Sequence, residues 1–132
     1  MATITEDYCS YEVAKMLKEK GFLKEEDLKI TQNLSFYDNI GLHHNLNKWY
    51  DSLIQDKIDF VVAPTHQMAK KWLREEHNLY VEIFVTWRDK IPHYQWRINN
   101  LITQDTIVDT PCLEKPEEAA EAAIKYSLEN LI

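Results

Sequence analysis

The chain has 132 residues, of which 45% are hydrophobic and 28% are charged, and its net charge at pH 7 is −7. This balance is typical of a globular protein and excludes a disordered tail or a collagen-like chain, so we expect a single domain over 1–132. The acidic excess argues against a protein that holds many nucleic-acid phosphates, although segment 64–100 is locally basic.

The first predicted element is a helix over 11–20. Ser10 is a suitable N-cap because its hydroxyl accepts a hydrogen bond from an otherwise unpaired backbone N–H. Val13 and Leu17 follow helical spacing, and Gly21 suits a left-handed C-cap. These residues together define both ends of the helix.

Three shorter elements are expected between residues 31 and 62. Phe36-Tyr37 before Asp38-Asn39 indicates a short strand that enters a turn. The apolar residues of 46–54 have helical spacing, and the β-branched residues of 58–62 favour a strand.

A second clear helix is predicted over 65–77, where Thr65 follows Pro64 as N-cap and Asn78 closes the helix in the left-handed conformation. The strongest strand signal comes next, as a hairpin over 79–102. Its apolar and polar residues alternate on both sides of an Asp89-Lys90 turn. Pro92 has no backbone N–H, which predicts an edge position near the start of the second strand.

The last predicted helix covers 116–131. Pro116 suits its first turn, and Glu117 and Glu118 lie at the positive end of the helix dipole. The elements together predict an α+β fold, in which an antiparallel sheet with hairpin 79–102 at its centre packs with about three helices, 11–20, 65–77 and 116–131.

Three blocks of the sequence resemble a known group: YEVAKMLKEKGF at 11–22, APTHQMAKKWLREEHN at 63–78 and EEAAEAAIKYSLENLI at 117–132. The group consists of small uncharacterised proteins encoded by gut anaerobic bacteria and by their phages and integrated mobile elements. The resemblance covers about a third of the chain. It implies a bacterial cytoplasm and a phage-derived or mobile element, and it implies no reaction and no functional residues.

The composition excludes several kinds of chemistry. With glycine only at Gly21 and Gly41, neither a phosphate-binding loop, nor a dinucleotide fingerprint, nor a nucleophile elbow is possible. The five histidines have no metal-ligand spacing, so we expect surface and capping histidines and no metal or cofactor. Two distant cysteines, Cys9 and Cys112, do not form a disulfide framework, so we expect both thiols to be reduced. No leader and no membrane-spanning run is evident, so we expect a cytoplasmic protein. Because none of these catalytic motifs is present, we do not expect an enzyme.

One surface of the hairpin is a candidate binding site. If the apolar residues from Val81 to Ile98 face the core, the opposite face presents aromatic and basic side chains: Tyr80, Phe84, Arg88, His93 and Arg97. Aromatic residues beside arginines are enriched at protein interfaces and also stack on single-stranded nucleic acid. Helices on both faces of the sheet would instead make Tyr80 and Phe84 ordinary core residues.

The sequence therefore favours a protein that binds a partner protein or a second copy of itself. The alternative is a nucleic-acid-associated accessory protein that uses the basic and aromatic segment 70–97. No membrane partner and no small-molecule ligand is evident in the sequence.

Overall fold

The computed structural model describes residues 7–23, 34–108 and 112–132. These residues form an α+β fold with four helices and two three-stranded antiparallel sheets. The elements in chain order are α1 (Tyr11–Glu19), β1 (Ser35–Tyr37), β2 (Leu42–His43), α2 (Leu46–Gln55), β3 (Val61–Ala63), α3 (His66–His77), β4 (Leu79–Arg88), β5 (Ile91–Asn100), β6 (Thr106–Val108) and α4 (Pro116–Asn130). The fold class is as expected, but the strands form two sheets instead of one.

The described residues group into two compact units. The N-terminal unit is Tyr8–Thr65, and the C-terminal unit is His66–Ile132 together with Asp7. The expectation of a single domain stays a prediction. Within the described residues, no helix is both long enough and apolar enough to cross a bilayer.

The first helix of the N-terminal unit agrees with its prediction. The hydroxyl of Ser10 accepts a hydrogen bond from the backbone N–H of Val13 at 3.2 Å, which caps α1. Gly21 has φ of 95°, a left-handed value that glycine adopts without strain. Phe22 then folds back, and its N–H donates to the carbonyl of Leu17 at 3.0 Å.

The small sheet of the N-terminal unit has the order β2-β1-β3. The strand at Phe36 and the helix over 46–54 are confirmed as β1 and α2, but the strand expected over 58–62 lies at Val61–Ala63. The reason is the end of α2. Lys57 takes a left-handed φ of 54°, and the N–H of Ile58 donates to the carbonyl of Leu53. Ile58 therefore belongs to the cap of the helix and not to the strand.

The C-terminal unit contains the predicted hairpin. Asn78, with φ of 56°, ends α3 as expected, and β4 begins at the next residue. Asp89 and Lys90 have φ of 50° and 67°, which is the pattern of a two-residue type I′ turn. The turn joins β4 to β5 in a ten-residue ladder in which Arg88 pairs with Ile91.

Only one of the two hairpin strands lies at the centre of its sheet, although the whole hairpin was expected there. The strand order is β4-β5-β6, so β5 is central and β4 is an edge strand. β6 was not predicted, because a three-residue strand carries too little alternation to be recognised without its neighbour. Pro92 lies beyond the part of β5 that pairs with β6, in agreement with the expected edge position.

The core of the C-terminal unit lies on one face of this sheet. We call this the inner face, made of the odd-numbered residues of β4 and the even-numbered residues of β5. Val81, Trp96 and Ile98 on this face are buried, and so are Ile124 and Leu128 of α4. Burial of each isoleucine or leucine contributes roughly 1.5–3 kcal/mol of stability.

Small residues let α4 approach its neighbours closely. Ala119, Ala120 and Ala123 are almost completely buried.

Between α3 and α4, Nε2 of His66 and Oε2 of Glu121 lie 2.7 Å apart. His66 is only 8% exposed, so it is not the surface or capping histidine expected from the sequence. Its hydrogen-bond partner is contributed by a helix 55 residues further along the chain.

Candidate functional site

The structure brings the five predicted binding residues onto one face of the hairpin. In the β4–β5 register, Tyr80 pairs with Asn99, Phe84 with Gln95 and Arg88 with Ile91. Residues that pair across antiparallel strands point to the same side of the sheet. The even-numbered residues of β4 and the odd-numbered residues of β5, including His93 and Arg97, therefore form what we call the outer face.

Polar contacts link the strands across the outer face. Glu82 accepts hydrogen bonds from Arg97 Nη2 at 2.7 Å and from Asn99 Nδ2 at 2.8 Å. Asn99 Oδ1 accepts in turn from the hydroxyl of Thr106 on β6 at 2.9 Å. The guanidinium carbon of Arg97 also lies 5.1 Å from the centroid of the Phe84 ring, within cation–π range. The charge of Arg97 is therefore balanced within the sheet.

The predicted residues differ in how far they reach solvent. Tyr80 is 42% exposed and Arg88 is exposed, whereas Phe84, His93 and Arg97 are half-buried. His93 Nδ1 lies 3.2 Å from the carbonyl oxygen of Ile91. The exposure of Tyr80 does not fit the reading in which Tyr80 is an ordinary core residue.

Three exposed apolar residues lie at the far end of the hairpin, and the sequence analysis placed two of them in the core. Val85 and Trp87 were expected in the core, but they are 46% and 68% exposed. Ile91, on the outer face, is 58% exposed. Alternation assigned Val85 and Trp87 to the inner face correctly, but it does not tell where along that face burial ends. Proximity to the Asp89-Lys90 turn is the signal that could have located the exposed end. We call Val85, Trp87 and Ile91 the hairpin-end cluster.

The edge of β4 is open on the side away from β5. Because a two-residue turn closes the hairpin, Arg88 and Ile91 form its first hydrogen-bonded pair, and the bonded pairs recur at every second residue. The N–H and C=O groups of Ile83, Val85 and Trp87 therefore point away from β5. Within the described residues, no strand pairs with this edge.

A pocket of about 410 Å³ lies within the N-terminal unit. Its walls include the apolar side chains of Phe22, Leu53 and Phe60 and the charged residues Lys18 and Lys57. Lys18 Nζ donates a hydrogen bond to the carbonyl of Phe60 at 3.3 Å. No histidine or cysteine is among the described residues that line it, so they do not supply a thiol–imidazole pair for nucleophilic catalysis.

A second, more open depression of about 390 Å³ lies between β5, β6 and α4, with Trp96 and Tyr126 among its lining residues. The centroids of these two rings are 5.2 Å apart. The indole N–H of Trp96 is buried and has no hydrogen-bond acceptor among the described residues. An unpaired buried donor costs about 1–3 kcal/mol, which offsets part of the stability gained by burying the ring.

One carboxyl group near β1 has a shifted pKa. Desolvation acts to raise the pKa of Asp38, but the backbone N–H groups of Ile40 and Gly41 and the side chain of His43 lower it by a greater amount. Asp38 Oδ1 accepts from Ile40 N at 2.8 Å and from Gly41 N at 3.0 Å, and it lies 2.9 Å from His43 Nε2. This arrangement holds the turn between β1 and β2.

Comparison with protein-family models, with curated proteins and with solved structures finds no match to this chain. The geometry of the hairpin is accordingly the basis for assigning a role.

Proposed function

We propose that this chain is a non-enzymatic protein-binding module and that it binds its partner through the far end of the β4–β5 hairpin. The observation that carries the proposal is the hairpin-end cluster, in which Val85, Trp87 and Ile91 are 46%, 68% and 58% exposed. Interfaces between proteins are typically centred on a few aromatic and aliphatic side chains that are buried on binding.

The surroundings of the cluster support the same role. Arg88 lies opposite Ile91 on the outer face, is exposed, and makes no ion pair among the described residues. Arginine is enriched at protein interfaces because its planar guanidinium forms directional hydrogen bonds and stacks on aromatic rings.

The nucleic-acid alternative is less well supported. A phosphate-binding surface needs several uncompensated cations, but Arg97 is engaged by Glu82. Among the outer-face residues first considered, this contact leaves Arg88 as the arginine available for a phosphate. The test below includes a nuclease arm for this alternative.

The proposed setting is the cytoplasm of a bacterium, in a protein derived from a phage or an integrated mobile element. The three blocks at 11–22, 63–78 and 117–132 support this setting through their resemblance to proteins of that origin.

The proposal is tested by affinity capture from a bacterial lysate with nuclease added or omitted, followed by titration of the purified partner. Trp87→Ser removes the largest member of the hairpin-end cluster. The matched control is Trp49→Ser, which removes a 48% exposed tryptophan from α2. We expect a stoichiometric partner that survives nuclease, binds the wild type and the Trp49→Ser variant equally, and binds Trp87→Ser at least about tenfold more weakly.

Two results would contradict the proposal. A partner set that disappears with nuclease would favour the nucleic-acid role. A purified partner that binds Trp87→Ser as tightly as the wild type would move the interface away from the hairpin. Because Trp87 is 68% exposed, the variant is expected to stay folded, which circular dichroism checks.

A further inference from the structure

We infer that the free edge of β4 pairs antiparallel with β4 of a second copy of this chain, with Val85 opposite Val85 of the second copy. This inference deepens the proposed function and rests on it, since it names the partner that covers part of the hairpin-end cluster. The result would be one continuous six-stranded sheet in the order β6-β5-β4-β4-β5-β6.

The backbone of β4 permits this pairing. The N–H and C=O groups of Ile83, Val85 and Trp87 point to the open side, where no strand pairs among the described residues. An antiparallel pair related by a two-fold axis through Val85 joins these same residues: Val85 to Val85, and Ile83 to Trp87 of the other copy. Each joined pair then exchanges two hydrogen bonds, which satisfies the open edge.

The charges of β4 favour this register over its neighbours. With the axis at Val85, Glu82 of each copy lies opposite Arg88 of the other. Glu82 already accepts from Arg97 and Asn99 of its own chain, so the pairing adds a second cation beside this carboxylate and gives Arg88 an opposite charge on the outer face. An axis at Phe84 instead places Glu82 opposite Thr86 and Arg88 opposite Tyr80. An axis at Ile83 places Glu82 opposite Phe84. An axis at Thr86 places Glu82 opposite Lys90, but Lys90 lies in the turn beyond the end of β4. Of these registers, the axis at Val85 is the one that sets opposite charges in directly facing positions within β4, and such pairs stabilise two strands.

The apolar side chains of the inner face agree with the charges. In this register Val85, which is 46% exposed, faces its own symmetry mate, and Trp87, which is 68% exposed, faces Ile83 of the other copy. Both exposed side chains therefore gain an apolar neighbour on the same side of the sheet. Aromatic and β-branched residues that face each other across strands are a stabilising combination.

Cysteine substitution distinguishes the registers. In a Cys112→Ser background, Val85→Cys brings two thiols into directly opposed positions, where the Cα atoms are about 5.5 Å apart and a disulfide can form. Phe84→Cys brings its two thiols only into diagonal positions about 7–8 Å apart, beyond the usual reach of a disulfide. We expect a covalent dimer on mild oxidation of Val85→Cys and none for Phe84→Cys or for the exposed control Ile102→Cys.

Charge reversal supplies a second test that needs no disulfide. Arg88→Glu and Glu82→Lys each place two like-charged pairs in the symmetric dimer, and each is expected to raise its dissociation constant about tenfold or more. A mixture of the two variants restores opposite charges at both positions in the heterodimer. We therefore expect the mixture to dimerise as the wild type does in sedimentation experiments, whereas either variant alone dimerises weakly.

The outcomes separate this inference from the proposed function. A wild-type chain that stays monomeric at all accessible concentrations overturns the self-pairing, while the Trp87→Ser titration with a different protein still decides the proposed function. A disulfide at position 84 with none at position 85 overturns the register. A dimer whose dissociation constant is unchanged by both charge reversals also overturns the register. Crosslinking at position 85 together with rescue in the mixture supports the pairing.

Discussion

Arg97 covers the ring of Phe84 on the outer face, with 5.1 Å between its guanidinium carbon and the ring centroid. The same guanidinium donates to Glu82 at 2.7 Å, so one side chain links a cation–π contact to an ion pair. Both side chains of the ion pair are more than a third exposed, at 40% and 34%, which limits its strength because water screens the charges.

A double-mutant cycle on Arg97→Ala and Glu82→Ala should give a coupling free energy of about 0.5–1 kcal/mol in urea unfolding. The coupling should decrease as salt is added, since exposed charges are screened. The control is Arg74 with Glu75, whose closer N···O distance is 3.7 Å and whose coupling should be near zero. A coupling at Arg97 that is large and insensitive to salt would contradict this expectation.

The two turn residues of the hairpin, Asp89 and Lys90, have left-handed backbone conformations that are unfavourable for residues with a side chain. Lys90 has φ of 67°, a left-handed value that is unfavourable for a residue with a Cβ and natural for glycine. Lys90→Gly should therefore stabilise the protein by about 0.5–1 kcal/mol. The same change at Lys71, an exposed position in α3, should destabilise it by about 1 kcal/mol, because glycine weakens a helix. Equal signs for the two variants in urea unfolding would show that the turn does not adopt this conformation.

Trp96 combines a buried ring with a buried unpaired donor. It is 4% exposed, and its indole N–H has no acceptor among the described residues. Trp96→Phe removes the donor and leaves a small void, so its free energy of unfolding should stay within about 1 kcal/mol of wild type. Trp96→Ala should lose about 3–5 kcal/mol, because a large cavity remains. If thermal or urea unfolding gave equal losses for the two variants, the indole N–H would have to be satisfied.

The low pKa of Asp38 predicts a pH-dependent contribution to stability. Its folded pKa lies below the ordinary aspartate value of 3.8, so the contribution is present above that value and is lost as the pH falls through the folded pKa. Asp38→Asn keeps an oxygen acceptor for Ile40 and Gly41 but loses the charge. Urea unfolding should show the variant to be less stable than wild type at pH 7, with the difference shrinking in acid.

The control for this prediction is Asp38→Ala, which removes the acceptor as well as the charge. That variant should be less stable than wild type in acid too, because the N–H groups of Ile40 and Gly41 lose their partner at every pH. A stability difference between wild type and Asp38→Asn that grows toward low pH would mean that folding raises the pKa of Asp38 and does not lower it.

Elements with a local signal were predicted closely. The cap at Ser10 and the glycine at Gly21 define α1, and the alternation from Leu79 onward defines β4, because these patterns depend on a few neighbouring residues. Elements that depend on distant partners were missed or misplaced. β6 was missed because it is a strand only where Ile107 pairs with Ile98, and β3, expected over 58–62, lies at Val61–Ala63, where its residues pair with β1. Nothing near either strand in the sequence specifies that pairing.

The candidate site shows the same division. Side chains alternate between the two faces of a strand regardless of the rest of the fold. This alternation was enough to place five residues on one face: Tyr80, Phe84, Arg88, His93 and Arg97. The sequence also determined the helix caps and excluded glycine-rich phosphate sites by composition.

Only the tertiary structure decided which side chains of that hairpin are exposed, which of them have partners within the chain, and which strand lies at the edge of the sheet. In the folded chain Arg97 forms an ion pair with Glu82. Val85 and Trp87 are exposed on the face that was expected to be buried, and β4 is an edge strand. Burial and edge position depend on where helices and other strands lie against a residue. Those neighbours are far away in sequence, so local spacing cannot specify them.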